Sequence, residues 1–189
     1  MIHSISTKFA DYLIQHSLPI EKREIYIYGA ECFFNLLISD SILLIYAILT
    51  HQPMEFLLWL VSFSLLRTHI GGYHASTHAS CIISGIVLGI FCLQFHHYLC
   101  FYFPISIILL CVSFAFICKY APVCSSKHPL SAKQQKKEKK VSIVCFLIEI
   151  LLALVLKNIY LYYCTIIICG ILVACFFSYI GFLQYKKTN

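Results

Sequence analysis

Long apolar runs broken by short polar stretches set the pattern of this chain. The runs predict six helical spans, near Tyr26–Leu49, Met54–Leu66, Cys81–Cys100, Ile105–Cys118, Val141–Leu156 and Ile159–Phe182. Pro53, Pro104, Pro122 and Pro129 fall in the breaks, as expected of a residue that ends helices. Ahead of the spans, Ile2, Ile5, Phe9, Leu13 and His16 recur at helical spacing, with Ser4, Lys8, Asp11 and Gln15 largely elsewhere on the wheel. Residues 1–18 therefore predict an amphipathic helix lying in a membrane interface and stopped by Pro19. The second span is short. Its thirteen residues rise only ~20 Å against a hydrocarbon core of about 30 Å. Either it runs on towards Gly71 and Gly72, or the chain breaks within the membrane boundary.

Composition agrees with this pattern. The chain is 60% hydrophobic and 12% charged, against about 25% charged in a soluble domain. Lipid must therefore be part of its solvent, and the expected fold is all-α, a polytopic integral membrane protein forming one domain over residues 1–189. The first twenty residues lack a continuous apolar core, so no secretory signal peptide is expected. Of the eleven cysteines, Cys32, Cys92, Cys111, Cys118, Cys145, Cys164, Cys169 and Cys175 lie inside apolar runs, with no C-x-x-C pair. They read as reduced packing residues.

Charge sets an orientation. With the amino terminus inside and six spans threaded, the inner segments hold Lys8, Lys22, Arg23, Arg67, Lys119, Lys127, Lys133, Lys136, Lys137, Lys139, Lys140, Lys186 and Lys187, and the outer ones only Lys157. This positive-inside bias puts both termini and the Arg67–Cys81 stretch in the cytoplasm.

That stretch, residues 67–81, is a polar island holding Arg67, His69, Gly71, Gly72, His74, His78 and Cys81. Polar groups beside hydrocarbon are costly and tend to be functional. A histidine that takes a thiol proton makes a nucleophile able to attack a peptide carbonyl. Cys81 also opens a helical run, where the helix dipole favours a thiolate. His78, three residues earlier, faces Cys81 on a continuous helix. His74 is two turns away, ~10 Å along a straight helix, and reaches Cys81 only if the chain bends. Gly71 and Gly72 supply loose backbone, and a cap at Ser76 or Thr77 would leave His74 on the preceding loop. Spacing alone leans towards His78. A second reading takes His74, His78 and Cys81 as zinc ligands on one face, with His69 as a fourth, in a metal-binding or metal-transporting protein. The H-E-x-x-H motif is absent, because residue 75 is Ala. In a third reading, a scaffold or exporter, Cys81 merely packs. Arg67 anchors the span at the headgroups or holds a substrate carbonyl. Gly71 and Gly72 form a turn, or admit a substrate backbone.

Arg67-x4-Gly72-x-His74-x6-Cys81 resembles the signature of the accessory gene regulator B family, bacterial membrane cysteine endopeptidases that process quorum-sensing propeptides. The segment from Lys119 through Tyr120-Ala121-Pro122 to Leu130 looks like that family's Y-A-P segment before a basic loop. The resemblance implies that Cys81 and His74 are the catalytic pair, shifting the base from His78 to His74. It further implies a short propeptide with an amphipathic leader and an acidic tail. The tail is removed through a thioester on Cys81, and an internal nucleophile then closes a cyclic (thio)lactone. A homodimer in a bacterial cell membrane, working without a cofactor and without nucleic acid, completes the expectation.

Three features extend it. Residues 119–140 form a basic cytoplasmic loop in which Lys127, Lys133, Lys136, Lys137, Lys139 and Lys140 oppose Glu138 alone, enough to attract anionic lipid or an acidic peptide tail. Gly85 and Gly89 share a face with Cys81 and invite another helix, of this chain or a second copy. Glu31, about five residues into the first span and ~8 Å deep, is at the level to orient His74 as the third member of a triad.

Overall fold

The computed structural model describes residues 2–16, 19–73, 77–100, 102–123 and 131–188. It is all-α. The helices are α1 (Ile2–Gln15), α2 (Arg23–Leu49), α3 (Pro53–Ile70), α4 (His78–Phe95), α5 (Phe103–Tyr120), α6 (Ala132–Lys157) and α7 (Leu161–Thr188). A 3-10 turn at Ile20–Lys22 leads into α2, and another at His96–Cys100 follows α4. Three segments are long and apolar enough to cross a membrane: Ile20–Leu49, His78–Leu99 and Leu161–Gln184. Pro104–Tyr120 is a shorter apolar helix.

The outside of the bundle is apolar. Leu37, Ile45, Leu49, Val61, Val87, Ile108, Val112 and Leu151 are all exposed. The inside carries small hydroxyls: Ser39, Ser62, Ser106, Ser142, Thr165 and Ser178 are buried. A soluble protein reverses this arrangement. With lipid as the solvent, small polar residues pack helices closely and bond across them. The Ser62 hydroxyl on α3 faces both the Ile167 carbonyl of α7 (3.0 Å) and Glu149 of α6 (3.3 Å). Two apolar clusters complete the core, and α7 joins them. Leu66, Ile117, Phe146 and Ile171 belong to one, and Leu43, Trp59, Leu93 and Ile166 to the other.

The amphipathic amino-terminal helix packs on α2. Ser6 and Ala10 are buried beneath it, and Phe9 meets Phe34 edge-on at 6.0 Å. Arg23 Nε donates to Asp11 (2.8 Å), and this bond holds the Asp11 carboxyl below the usual carboxylate range.

Helix ends shift by a few residues throughout, and three of the differences from the sequence pattern bear on the site. The first span starts at Arg23, so Glu31 lies eight residues in, ~12 Å along the axis and not ~8 Å. The second runs on to Ile70, which resolves its shortfall in length, and stops at Gly71 with φ +67°. The basic stretch expected as a loop is helical from Ala132. Ser131 caps it, its hydroxyl accepting from Gln134 N while Gln134 Oε1 accepts from Ser131 N. This capping box, with a first turn rich in Lys and Gln, both good helix formers, starts α6 nine residues before its apolar run. Lys133, Lys136, Lys137 and Lys140 are exposed along it. Lys127 lies outside the described residues.

Candidate active site

Cys81 is the fourth residue of α4. The helix begins where the sequence allowed, with Thr77 as its cap: Thr77 Oγ1 accepts from Ser80 N (3.2 Å), and Cys81 N donates to the Thr77 carbonyl (3.1 Å). His74 and Ser76, in the segment leading to that cap, lie outside the described residues. Gly85 and Gly89, on the same face as Cys81, pack on α2 of the same chain. A Cβ at Gly85 would meet Ser39 at 3.6 Å, and one at Gly89 would meet Leu43 at 2.4 Å. The partner on that face is therefore α2, and a second copy is not needed to cover it.

The Cys81 side chain lines a cavity of about 420 Å³ between α2, α3, α4 and α7. Tyr28, Cys32 and Asn35 wall it from α2, Phe63 and Arg67 from α3, Ser84 and Gly85 from α4, and Phe177 from α7. The volume is within the ~300–1,000 Å³ of ordinary ligand pockets. It combines apolar and aromatic walls with one cation and two thiols, of which Cys81 is at the start of a helix.

The loop after α3 is held from three sides. The forked Arg67 guanidinium donates to the carbonyls of Gly71 and Tyr73 and lies 5.9 Å from the centre of the Phe177 ring. Tyr73 stacks on the same Phe177 ring at 6.4 Å, and its N–H donates to the Phe177 carbonyl (3.0 Å). Val123 N–H donates to the Ile70 carbonyl (2.8 Å), and Val123 pairs with Gly71 in an isolated parallel bridge. The two sequence motifs therefore meet: the Tyr120-Ala121-Pro122 segment delivers Val123 to the end of α3. Arg67 is committed to backbone carbonyls of its own loop. Its geometry is that of a brace holding Tyr73, the residue before His74.

Gly71 and Gly72 have a steric reason to be glycine. Both have positive φ (+67° and +127°). A Cβ on Gly72 would lie 2.5 Å from Ser178 Cα, and one on Gly181 of α7 would lie 2.6 Å from Gly72 Cα. The loop and α7 touch backbone to backbone.

The neighbouring histidines are occupied. His78 Nδ1 is 3.2 Å from Asn35 Nδ2, and its Nε2 is 3.8 Å from Glu31 Oε1. Both ring nitrogens thus face α2. Glu31 Oε1 also pairs with His3 Nδ1 of α1 at 2.6 Å, contacts that no sequence spacing indicated. His69 Nδ1 pairs with Glu138 on α6 at 2.7 Å. Among the described residues, no group of three or more His, Cys, Asp or Glu side chains is gathered to hold a metal ion. Cys32, Cys81, Cys92, Cys111, Cys118, Cys145, Cys169 and Cys175 are free thiols.

Sequence reading missed Asn35, Tyr28 and Phe177. Asn35 had a signal, as a lone amide in an apolar helix. Phe177 had none, since its position over Arg67 depends on a contact between distant segments.

Comparison with known proteins bears on the whole chain. The sequence model of the family described as Accessory gene regulator B matches residues 6–178, which include both motifs. The chain is 30% identical to a Putative AgrB-like protein of Clostridium perfringens (strain SM101 / Type A) over 76% of its own length and 70% of that protein. It is 28% identical to Putative AgrB-like protein 2 of C. perfringens (strain 13 / Type A), covering 74% and 69%. It is 27% identical to Accessory gene regulator protein B of Staphylococcus aureus (strain bovine RF122 / ET3-1), covering 75% and 72%. No solved structure matches. With a family match that begins within α1 and reaches the Ser178 contact of α7, the chain belongs to the accessory gene regulator B family.

Proposed function

We propose that this protein is a membrane cysteine endopeptidase that trims a short quorum-sensing propeptide and leaves it as a thioester for cyclisation. Cys81 is the nucleophile, and His74 the base and acid. The observation that carries the reading is the Cys81 thiol in the wall of a 420 Å³ cavity, beside a loop braced by Arg67. His74 takes the thiol proton as sulfur attacks the scissile carbonyl. It returns that proton to the leaving amine, so the acidic tail departs and a Cys81 thioester remains. A nucleophile within the peptide, a cysteine thiol in the thiolactone case, then displaces Cys81. Its advantage over water is effective concentration, and a partly dry site would also suppress hydrolysis. Arg67, Gly71 and Gly72 act by fixing the loop. The thirteen-to-one charge bias supports six spans with both termini and the site on the cytoplasmic face. In this reading Glu31 steadies His78 and α1 rather than His74, since it is already paired with His3.

The test is to trap the intermediate. The chain is co-expressed with the short open reading frame beside its gene, and Cys81 is examined by mass spectrometry for a hydroxylamine-sensitive peptide adduct. The expected adduct needs His74 and survives His78→Ala. An intact, unmodified Cys81 beside an unprocessed peptide would refute the reading.

The exposed lysines of α6 serve recruitment in the same scheme. Near a surface, each basic residue attracts anionic partners by about 1 kcal/mol. Replacing Lys133, Lys136, Lys137 and Lys140 by glutamine is expected to cut processing about tenfold or more at low salt, with the gap closing as salt rises. Equal processing by a normally inserted variant would assign these lysines to topology alone.

A further inference from the structure

Asn35 sits in mid-α2 and is only 7% exposed. Its Nδ2 is engaged with His78 Nδ1, while its Oδ1 is buried with no hydrogen-bond partner among the described residues. A buried amide oxygen without a donor destabilises the empty protein. The residue is nonetheless in the wall of the Cys81 cavity.

Its height along the bundle adds to this. Helices α2 and α4 run side by side in one register: Gly85 sits against Ser39, and Gly89 against Leu43. The same offset puts Cys81 level with Asn35. The unpartnered acceptor thus belongs to a lining residue at the level of the nucleophile, in a cavity whose apolar wall includes Leu36 and Phe63. The terminal torsion of an asparagine is soft, so a small turn of the amide brings Oδ1 to face an occupant.

We propose that Asn35 is a substrate-binding residue whose Oδ1 accepts a backbone N–H of the propeptide next to the bond that Cys81 attacks. The occupant it selects is an extended peptide main chain carrying an apolar side chain against Leu36 and Phe63. An extended strand entering a helical bundle finds no sheet edge to pair with, and Asn35 supplies one acceptor in its place. This rests on the reading of the chain as a propeptide-cleaving enzyme. It adds to that reading a named contact on the wall facing the nucleophile.

The test separates binding from chemistry. Cys81→Ala protein in proteoliposomes is titrated with a fluorescent synthetic peptide of the short open reading frame beside the gene. The titration is repeated with peptides in which one amide at a time, around the cleaved bond, is replaced by an ester that lacks the N–H. One ester is expected to weaken binding about tenfold to the Asn35 protein and less than about twofold to Asn35→Leu. Should Asn35→Leu fail to insert, Asn35→Ala takes its place, and Asn35→Asp, which keeps an acceptor, retains the ester sensitivity. If no ester matters, or if the same ester costs both proteins equally, Asn35 is not the acceptor. If the all-amide peptide does not bind Cys81→Ala at all, the propeptide reading falls and this inference falls with it.

Discussion

Gly181→Ala is expected to reduce propeptide processing about a hundredfold, although Gly181 carries no reactive group and lies a hundred residues beyond Cys81. Its Cβ would fall 2.4 Å from Tyr73 N and 2.6 Å from Gly72 Cα. These are backbone atoms, which cannot swing aside as a flexible side chain can. Relief must come from shifting the loop off α7, which breaks the bond from Tyr73 N–H to the Phe177 carbonyl and the Tyr73–Phe177 stack. Displacing a catalytic group by about 1 Å costs on the order of a hundredfold in rate, and the next residue along is His74. Gly72→Ala should do similar or greater damage, because it adds strain at φ +127° to a 2.5 Å approach to Ser178 Cα. Since both substitutions move one contact, the double variant should be little worse than either alone. The measurement is processing rate beside thermal stability in detergent. Losses that multiply in the double variant would show that the two glycines act separately. The matching control is Gly85→Ala, whose Cβ meets Ser39 at an ordinary 3.6 Å; it should insert and melt normally.

The helices were readable because their runs are apolar over a length fit for lipid, and this chain marks its breaks with proline and lysine; three of them are long and apolar enough to cross a membrane. Where local chemistry competed with hydropathy, the reading slipped. Residues 131–140 looked like a loop because they are charged, yet Ser131 and Gln134 already spelled a capping box. Arg67, Gly72 and Cys81 stood out from spacing, and the fold explains why they occur together. What spacing could not give was partners. Arg67 looked equally suited to a headgroup or a substrate, and it holds the Gly71 and Tyr73 carbonyls. Glu31 looked suited to His74, which lies outside the described residues, and the partners it does show are His3 and His78. In each case the deciding atom belongs to a loop turn or to another helix, and helical periodicity carries no record of it.

Those partners also bear on the choice of base, where the largest effects are expected. Cys81→Ala should abolish processing outright, since no other group in the scheme forms the thioester. His74→Ala should lower the rate by about 10²–10⁴, the usual contribution of a general base. What remains should climb with pH, because a thiol without a base reacts only through the thiolate that solution pH provides. His78→Ala should cost far less, within about tenfold, and leave the pH profile in place. Sequence spacing argues the opposite, because His78 is one helical turn from Cys81 and His74 is two. The contacts of His78 weigh against that argument. His78 is the first residue of α4, and its ring nitrogens face Asn35 and Glu31 across the gap to α2. A ring so placed steadies the start of the nucleophile's helix, and swinging it to the thiol would break both contacts. The cap at Thr77 ends the helix between the two histidines, so the two-turn separation that counted against His74 on a straight helix no longer applies. Measured rates decide the matter: if His78→Ala proves the more damaging and acquires the steep pH dependence, His78 is the base and the assignment to His74 is wrong.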